Sequence, residues 1–518
     1  MRPFKEFRFW AREAPASDLI GTTLASMVVV ALLAWLLVPD GHDSSREEVF
    51  ASGGDATNST LPAADVAGSE SGGGIVPATP TDGAGGGAAG GSGNGGSTGG
   101  VPAPSTDSAA AQAPGCAPPP GEKGVTDAEL KVTIALVEVV GPAANSLFDI
   151  PPPEEQRANY DAAIAGTNKE GGFACRKLVA RYVSVNPADE SQMMGVCRDI
   201  ADSDAFALVD AGSMGTRPAV VTCIGQNKIP YFGTSQLTDA ARRQFYPYLF
   251  AFYYREQVYR STVFALRDLG FFDPAKGFEK LGFIYRDCER DAIGAFRGWI
   301  REVVPDDRVV PYSVGCPAVF ANEADLTQAV LTFQREGVTH VTTGNFTGDI
   351  ARFTAHAEQQ RFRPRYGFPD EALLSIAGGT RAPNPDNIAN ALAVTLTRLG
   401  EQQTPGMAPT PGTQKCNAYR QAAGLKPVWA VAATAGQACG QLWMLQQALA
   451  NVPQLSRAAL QVGLHRAKAI DFSFPQGPSD FTGDKVTTGG QFWRLAQFMP
   501  SCDCWQVTQR DFRRGPGT

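Results

Sequence analysis

Residues Gly171–Ala219, GGFACRKLVARYVSVNPADESQMMGVCRDIADSDAFALVDAGSMGTRPA, decide the fold. Lys177 to Val185 alternates and is rich in Val and Tyr, the pattern of a strand. Asp189 to Ala201 places Met193, Met194, Val196 and Ile200 at helical spacing. Ala205 to Val209 is a short apolar run of the kind buried on both faces of a parallel sheet. The run ends in Asp210-Ala-Gly-Ser-Met-Gly, and a new helix starts near Thr216. In an open parallel sheet, ligands bind beyond the carboxyl ends of the strands, where helix N-termini present free N–H groups. Ser213 stands at such a place and is the first site candidate.

Working outward, Lys131 to Val140 reads as a buried strand and Pro153 to Asn168 as a helix, with Ile229 to Phe232 as the next strand. A second series follows. It has a helix over Tyr259 to Leu269, a strand over Leu281 to Tyr285 and a strand over Val309 to Val314. A helix over Asp325 to Gln334, a strand over His340 to Thr343 and a helix over Asp349 to Gln360 complete it. Helices are expected over Asn387 to Arg398, Gly436 to Asn451 and Ser456 to Val462, with no strands between them, returning to cover the first lobe. The fold class expected is α/β, with two doubly wound Rossmann-like lobes joined by a hinge.

The chain has 518 residues and a net charge of −7, with no basic stripe to serve as a nucleic-acid surface. Ten cysteines and four histidines are present, and no histidine sits beside a cysteine in sequence. That distribution argues against zinc and for disulfides in an oxidising compartment. No cofactor is implied. Residues 1–18 carry Arg2, Lys5, Arg8 and Arg12, and Leu19 to Val38 is an uncharged apolar run long enough to span a bilayer. The run lacks a small-x-small cleavage site. It is therefore expected to be an uncleaved anchor with its basic end in the cytoplasm. Residues 39–124 are Gly-, Ala-, Ser- and Pro-rich, as in GAGGGAAGGSGNGGSTGG, with too few apolar side chains to offset the entropy of ordering. A tether of that length reaches roughly 50 Å on average. Gly91, Gly93 and Gly96 match GxGxxG by spacing alone, since no strand precedes them and no helix follows.

Asn168-Lys-Glu-Gly-Gly-Phe-Ala-Cys-Arg-Lys-Leu resembles the N-x-x-GG-x-x-G-R-K-[LI] motif of the type I periplasmic binding proteins of the branched-chain amino-acid class, with Cys175 in place of its last glycine. Asn186-Pro-Ala-Asp, the Gly-Ser turn at 212–213, Ile229-Pro-Tyr-Phe-Gly-Thr-Ser and Leu237-Thr extend the resemblance over most of 125–500. The resemblance implies two lobes joined by three crossovers that close on a ligand. Lobe 1 is expected over 125–250 and 375–472, and lobe 2 over 251–374 and 473–518. It implies that a ligand carboxylate is held by Ser213 and by Gly233, Thr234 and Ser235. The ligand ammonium would go to Asp370, with Glu371 as the fallback, and Asn345 and Phe346 lie where the family often has an aromatic.

Short hydroxyls and helix N-terminal amides are donors suited to an anion. The plainer reading of Ser213 and Asp370 is helix capping. Ala211-x-Ser213-x-Gly215 also resembles a variant nucleophile elbow, which would need a histidine near a late strand end. His340, His356 and His465 do not offer one. Cysteine pairs are suggested by position: Cys197 with Cys223, Cys288 with Cys316, Cys416 with Cys439, Cys116 with Cys175 and Cys502 with Cys504, with connectivity left open.

The function expected is non-enzymatic. A membrane-tethered, extracytoplasmic protein would capture a small amino-acid-like ligand and pass it to the permease of an ABC transporter. The ectodomain of a ligand sensor is the alternative.

Overall fold

A computed structural model describes residues 122–515 apart from 140–144, 146–149, 235–236, 317–319, 346–348, 370–382, 428–434, 453, 468, 476 and 484–485. These all belong to one compact unit, Ala103–Thr518. The first lobe is built on β1 (Glu129–Val137), α1 (Pro153–Lys169), β2 (Lys177–Val185), α2 (Glu190–Asp202), β3 (Ala207–Asp210), α3 (Pro218–Gln226), β4 (Tyr231–Phe232), α4 (Asp239–Gln244) and β5 (Leu249–Phe250). The strands are all parallel in the order β2-β1-β3-β4-β5. The apolar runs of β1 and β3 occupy the middle and are buried on both faces, while β2 alternates at the edge. Helix α2 begins where the Asp189 side chain accepts from the Gln192 N–H at 2.9 Å, and it buries Met193, Cys197 and Ile200 on one stripe.

The second lobe takes α5 (Arg255–Asp268), β6 (Leu281–Tyr285), α6 (Arg290–Val303), β7 (Val309–Ser313), α7 (Glu323–Arg335), β8 (His340–Gly344), α8 (Ile350–Gln359), β9 (Arg365–Pro369) and β10 (Leu392–Thr395). The parallel part runs β7-β6-β8-β9-β10, the same order as the first lobe shifted by five strands. The chain then returns to the first lobe. There α9 (Pro411–Ala422) and α10 (Ala435–Ala450) pack on α1, and α11 (Leu460–Ala467) packs on α10. It ends in β11 (Phe492–Met499), β12 (Cys504–Val507) and β13 (Arg513–Arg514), which add antiparallel to β10 and to one another.

Two findings differ from the sequence reading. Asn387 to Arg398 is not a helix: Leu392–Thr395 is β10, parallel to β9 and antiparallel to β11. Its residues are buried on both faces, and Asn390 just before it has a left-handed backbone (φ 64°), which stops any helix. Val394, Thr395 and Thr397 are β-branched residues that suit this pleated, two-sided site. As a consequence this part of 375–472 lies in the sheet of the second lobe. The antiparallel strands β11 to β13 were not read from the sequence at all.

The chain crosses between the lobes three times, and the crossovers are bonded together. Ala251 bridges to Thr488, and the Gly490 N–H donates to Phe252 O at 2.6 Å. Thr397 bridges to Pro475, and Arg398 Nε donates to Ser473 O at 3.1 Å. Phe252, Phe472, Phe474 and Phe481 form an aromatic cluster around them.

Four of the expected disulfides are present: Cys197–Cys223, Cys288–Cys316, Cys416–Cys439 and Cys502–Cys504. Cys175 is disulfide-bonded as well, and Cys116, its expected partner, lies outside the described residues. Among the described residues no helix is long and apolar enough to cross a membrane. Leu19–Val38 and the tether also lie outside them.

His340 opens β8 in an apolar setting, 3% exposed and packed edge-on against Phe271 and Phe278. Its Nδ1 lies 3.0 Å from Thr339 Oγ1, and Nε2 has no partner among the described residues. Burial, and then the charge of Arg365, push its pKa from 6.5 down to about 4. The neutral ring therefore contributes stability that is complete above about pH 6.5 and lost as pH falls towards 4. Unfolding free energies of the native chain and His340→Gln, measured by urea between pH 7.5 and 4.5, are expected to diverge. The native chain should lose about 2–3 kcal/mol more than the variant. Parallel curves would rule the histidine out as the cause.

Candidate functional site

The strand ends of the first lobe are organised by Asp210, a wholly buried carboxylate at the end of β3. Its Oδ1 accepts from the N–H of Gly212 (3.1 Å), the N–H of Ser213 (3.0 Å) and the hydroxyl of Ser213 (3.3 Å). Its Oδ2 accepts from the N–H of Gly215 (3.2 Å) and the hydroxyl of Tyr231 (2.6 Å). Burial, and then the charge of Asp210, push the Tyr231 hydroxyl well above its ordinary pKa, so it remains a donor. Behind this turn, Gln441 Nε2 of α10 donates to the carbonyls of Asp210 (2.7 Å) and Phe232 (3.0 Å), and its Oε1 accepts from Tyr160 of α1 at 2.7 Å.

Ser213 is therefore at a strand end as expected, but wholly buried, with its hydroxyl directed at Asp210. Among the described residues it makes no capping bond to the short helical turn that follows, and no histidine bonds it. Gly233 follows β4, its N–H bonded to Phe250 O. A Cβ there would come within 2.4 Å of the Tyr231 ring, which folds over it to reach Asp210. Thr234 is buried, and its carbonyl accepts from the N–H of Phe252 at 3.0 Å, tying this loop to the first crossover. The Thr234 hydroxyl makes no hydrogen bond among the described residues. Ser235 lies outside the described residues.

In the second lobe the corresponding anchor is Asp349, also wholly buried. It accepts from Arg286 after β6 (2.9 and 2.7 Å), from the Ala321 N–H (3.0 Å) and from Arg352 (3.3 Å). The Arg286 N–H bonds Gly344 O at 3.1 Å, so the loops after β6 and β8 form one unit. Asn345 follows β8 with a left-handed backbone (φ 49°). Phe346, Asp370 and Glu371 lie outside the described residues.

A cavity of about 490 Å³ opens between the lobes. Gly215 and Thr216 after β3 and Thr238 after β4 line one side, and Asp287, Glu289 and Asp291 after β6 line the other, with Cys316 after β7. The size suits a small organic ligand. Glu289 pairs with Arg255 at the start of α5. Next to it Glu256 accepts from the Asp239 N–H at 2.8 Å, and burial raises the Glu256 pKa. Among the described residues no cluster of His, Cys, Asp and Glu could hold a metal ion.

Asp210, Tyr231, Gln441, Arg286 and Asp349 were not singled out from the sequence. A carboxylate ending an apolar strand just before Gly-Ser is a usable signal for Asp210. Gln441 and Asp349 give none, because most of their partners are distant in sequence.

No family model matches the sequence, and no curated protein matches it. Many solved structures match it, and those named here are substrate-binding proteins of ABC transporters. One from Desulfitobacterium hafniense in complex with Leu is 16% identical, with a TM-score of 0.51, covering 73% of this chain and 99% of that one. One from Aeropyrum pernix is 13% identical, with a TM-score of 0.55, covering 75% and 97%. One from R. palustris in complex with 4-hydroxybenzoate is 12% identical, with a TM-score of 0.53, covering 74% and 97%. Two lobes of matching strand order, three crossovers and these likenesses give the chain the type I periplasmic binding protein fold.

Proposed function

We propose that this chain is a non-enzymatic solute-binding protein that closes its lobes on a small ligand and delivers it to the permease of an ABC transporter. The observation that carries the reading is the interlobe cavity, on which the ends of β3 and β4 from one sheet and of β6 and β7 from the other converge. Ligands of open α/β sheets sit beyond such strand ends. Three bonded crossovers beside it supply a hinge. Two of the solved structures named above carry Leu or 4-hydroxybenzoate, which supports a small organic ligand here. We place the folded part outside the cytoplasm, held by Leu19–Val38 through the 39–124 tether. The disulfides support that compartment.

The test is to denature cell-derived full chain, identify the released small molecule by mass spectrometry, and titrate it back into stripped protein. Micromolar or tighter binding is expected, with a decrease in the radius of gyration by X-ray scattering as the lobes close. A molecule that binds without compaction, or the absence of any bound solute, would sink the reading. Membrane fractionation and N-terminal sequencing test the anchor separately.

A further inference from the structure

At the end of β3, five donors converge on one point: the N–H groups of Gly212, Ser213 and Gly215 and the hydroxyls of Ser213 and Tyr231. Successive backbone N–H groups turned towards one spot make an anion-binding nest. Here the nest is filled from within. The carboxylate of Asp210, wholly buried, takes three of these bonds on Oδ1 and two on Oδ2. Gln441 holds the Asp210 carbonyl from behind, which fixes the strand end against the nest.

Three of the four charged residues lining the neighbouring cavity, Asp287, Glu289 and Asp291, are acids and Arg290 is a base, and Glu289 is paired with Arg255 at the start of α5. That base, Arg290, lies 3.5 Å from Asp287.

We propose that Asp210 determines specificity by occupying the first lobe's anion nest, so that the ligand meets this lobe with an uncharged or positively charged group, such as an amide, alcohol or amine. This rests on the solute-binding reading above. A ligand carboxylate at this strand end would find its backbone donors engaged and a fixed negative charge beside it, in surroundings that screen little.

Two measurements on the full chain test it. In the first, thermal unfolding of the native chain and Asp210→Ser is followed in sodium formate against equal sodium chloride. Formate should leave the native chain unchanged and raise the variant's midpoint by several degrees, because the small carboxylate re-enters the vacated nest. An equal rise in both proteins, or no rise in the variant, overturns the proposal. If the variant is recovered only unfolded, its refolding yield in formate against chloride is read instead, and equal yields overturn the proposal.

In the second, the native chain is titrated with 4-hydroxybenzoate and 4-hydroxybenzamide, and with leucine and leucinamide. Each acid should bind at least ten-fold more weakly than its amide, and an acid that binds more tightly than its amide overturns the proposal. A cell-derived protein that releases no small molecule counts against solute binding itself. The formate result then still decides whether Asp210 fills the nest.

Discussion

Full reduction of the disulfides is expected to unfold this protein at room temperature. The bridges Cys197–Cys223, Cys288–Cys316 and Cys416–Cys439 close loops with separations of 26, 28 and 23 residues. Loops of this size restrict the unfolded chain by about 3 kcal/mol each in the chain-entropy account. Together they approach about 10 kcal/mol, as large as the whole stability of a typical domain. Cys502–Cys504 has a separation of only 2 and adds little by this route. Far-ultraviolet circular dichroism in the presence of a phosphine reductant reads the effect. A folded signal that survives complete reduction, with the released thiols counted, would show that the packed lobes suffice alone. Before reduction the unfolded protein should show almost no reactive thiol, since no described cysteine is free.

Arg398→Met should cost about 3–5 kcal/mol, the usual loss when one partner of a buried ion pair is removed. Arg398 is wholly buried where the second and third crossovers meet. Its guanidinium donates to the carbonyls of Ser473 (3.1 Å) and Phe472 (2.9 Å) and to Asp471 (3.1 Å), and it faces Glu401 at 3.5 Å. Glu401 is also buried and takes its second partner from Arg494 at 2.6 Å. The substitution strands two carbonyls and leaves Glu401 with Arg494 alone.

Burial already raises the Glu401 pKa, with Arg398 and Arg494 opposing it. Without Arg398 the rise is larger. A carboxyl with a raised folded pKa contributes stability below its unfolded value of 4.5 that is lost as pH climbs through the folded value. The deficit of Arg398→Met should therefore grow from about pH 4.5 to neutrality. Urea unfolding followed by tryptophan fluorescence at several pH values measures it. A loss below about 1 kcal/mol would mean that the crossovers are held by their backbone bonds and aromatic packing instead. Arg398→Lys should recover only part, because one ammonium cannot reach three oxygens set for a planar fork.

Periodicity placed most of the alternating strands and helices from Glu129 to Gln359, because local spacing reports which face of an element is buried, but α4, β5, α6 and β9 were not read from it. Lys177–Val185 and Leu281–Tyr285 lie at the residues read from their patterns. Four of the suggested cysteine pairs are present, although the sequence leaves their connectivity open. The strand end before the Gly-Ser turn was recognisable too, but none of Ser213, Gly233, Thr234 and Asn345 lines the cavity between the lobes.

Tertiary structure decided the rest. Ala391 to Thr397 has apolar residues compatible with either a helix or a strand, and only the space between β9 and β11 selected a strand. The role of Ser213 was set by its burial and by Asp210, three residues earlier, whose carboxylate takes its donors from that turn and from Tyr231 of β4. Gln441 lies 231 residues from the carbonyl of Asp210 that it holds. No local pattern encodes such a partner, because a buried polar group is matched by whatever folding brings beside it.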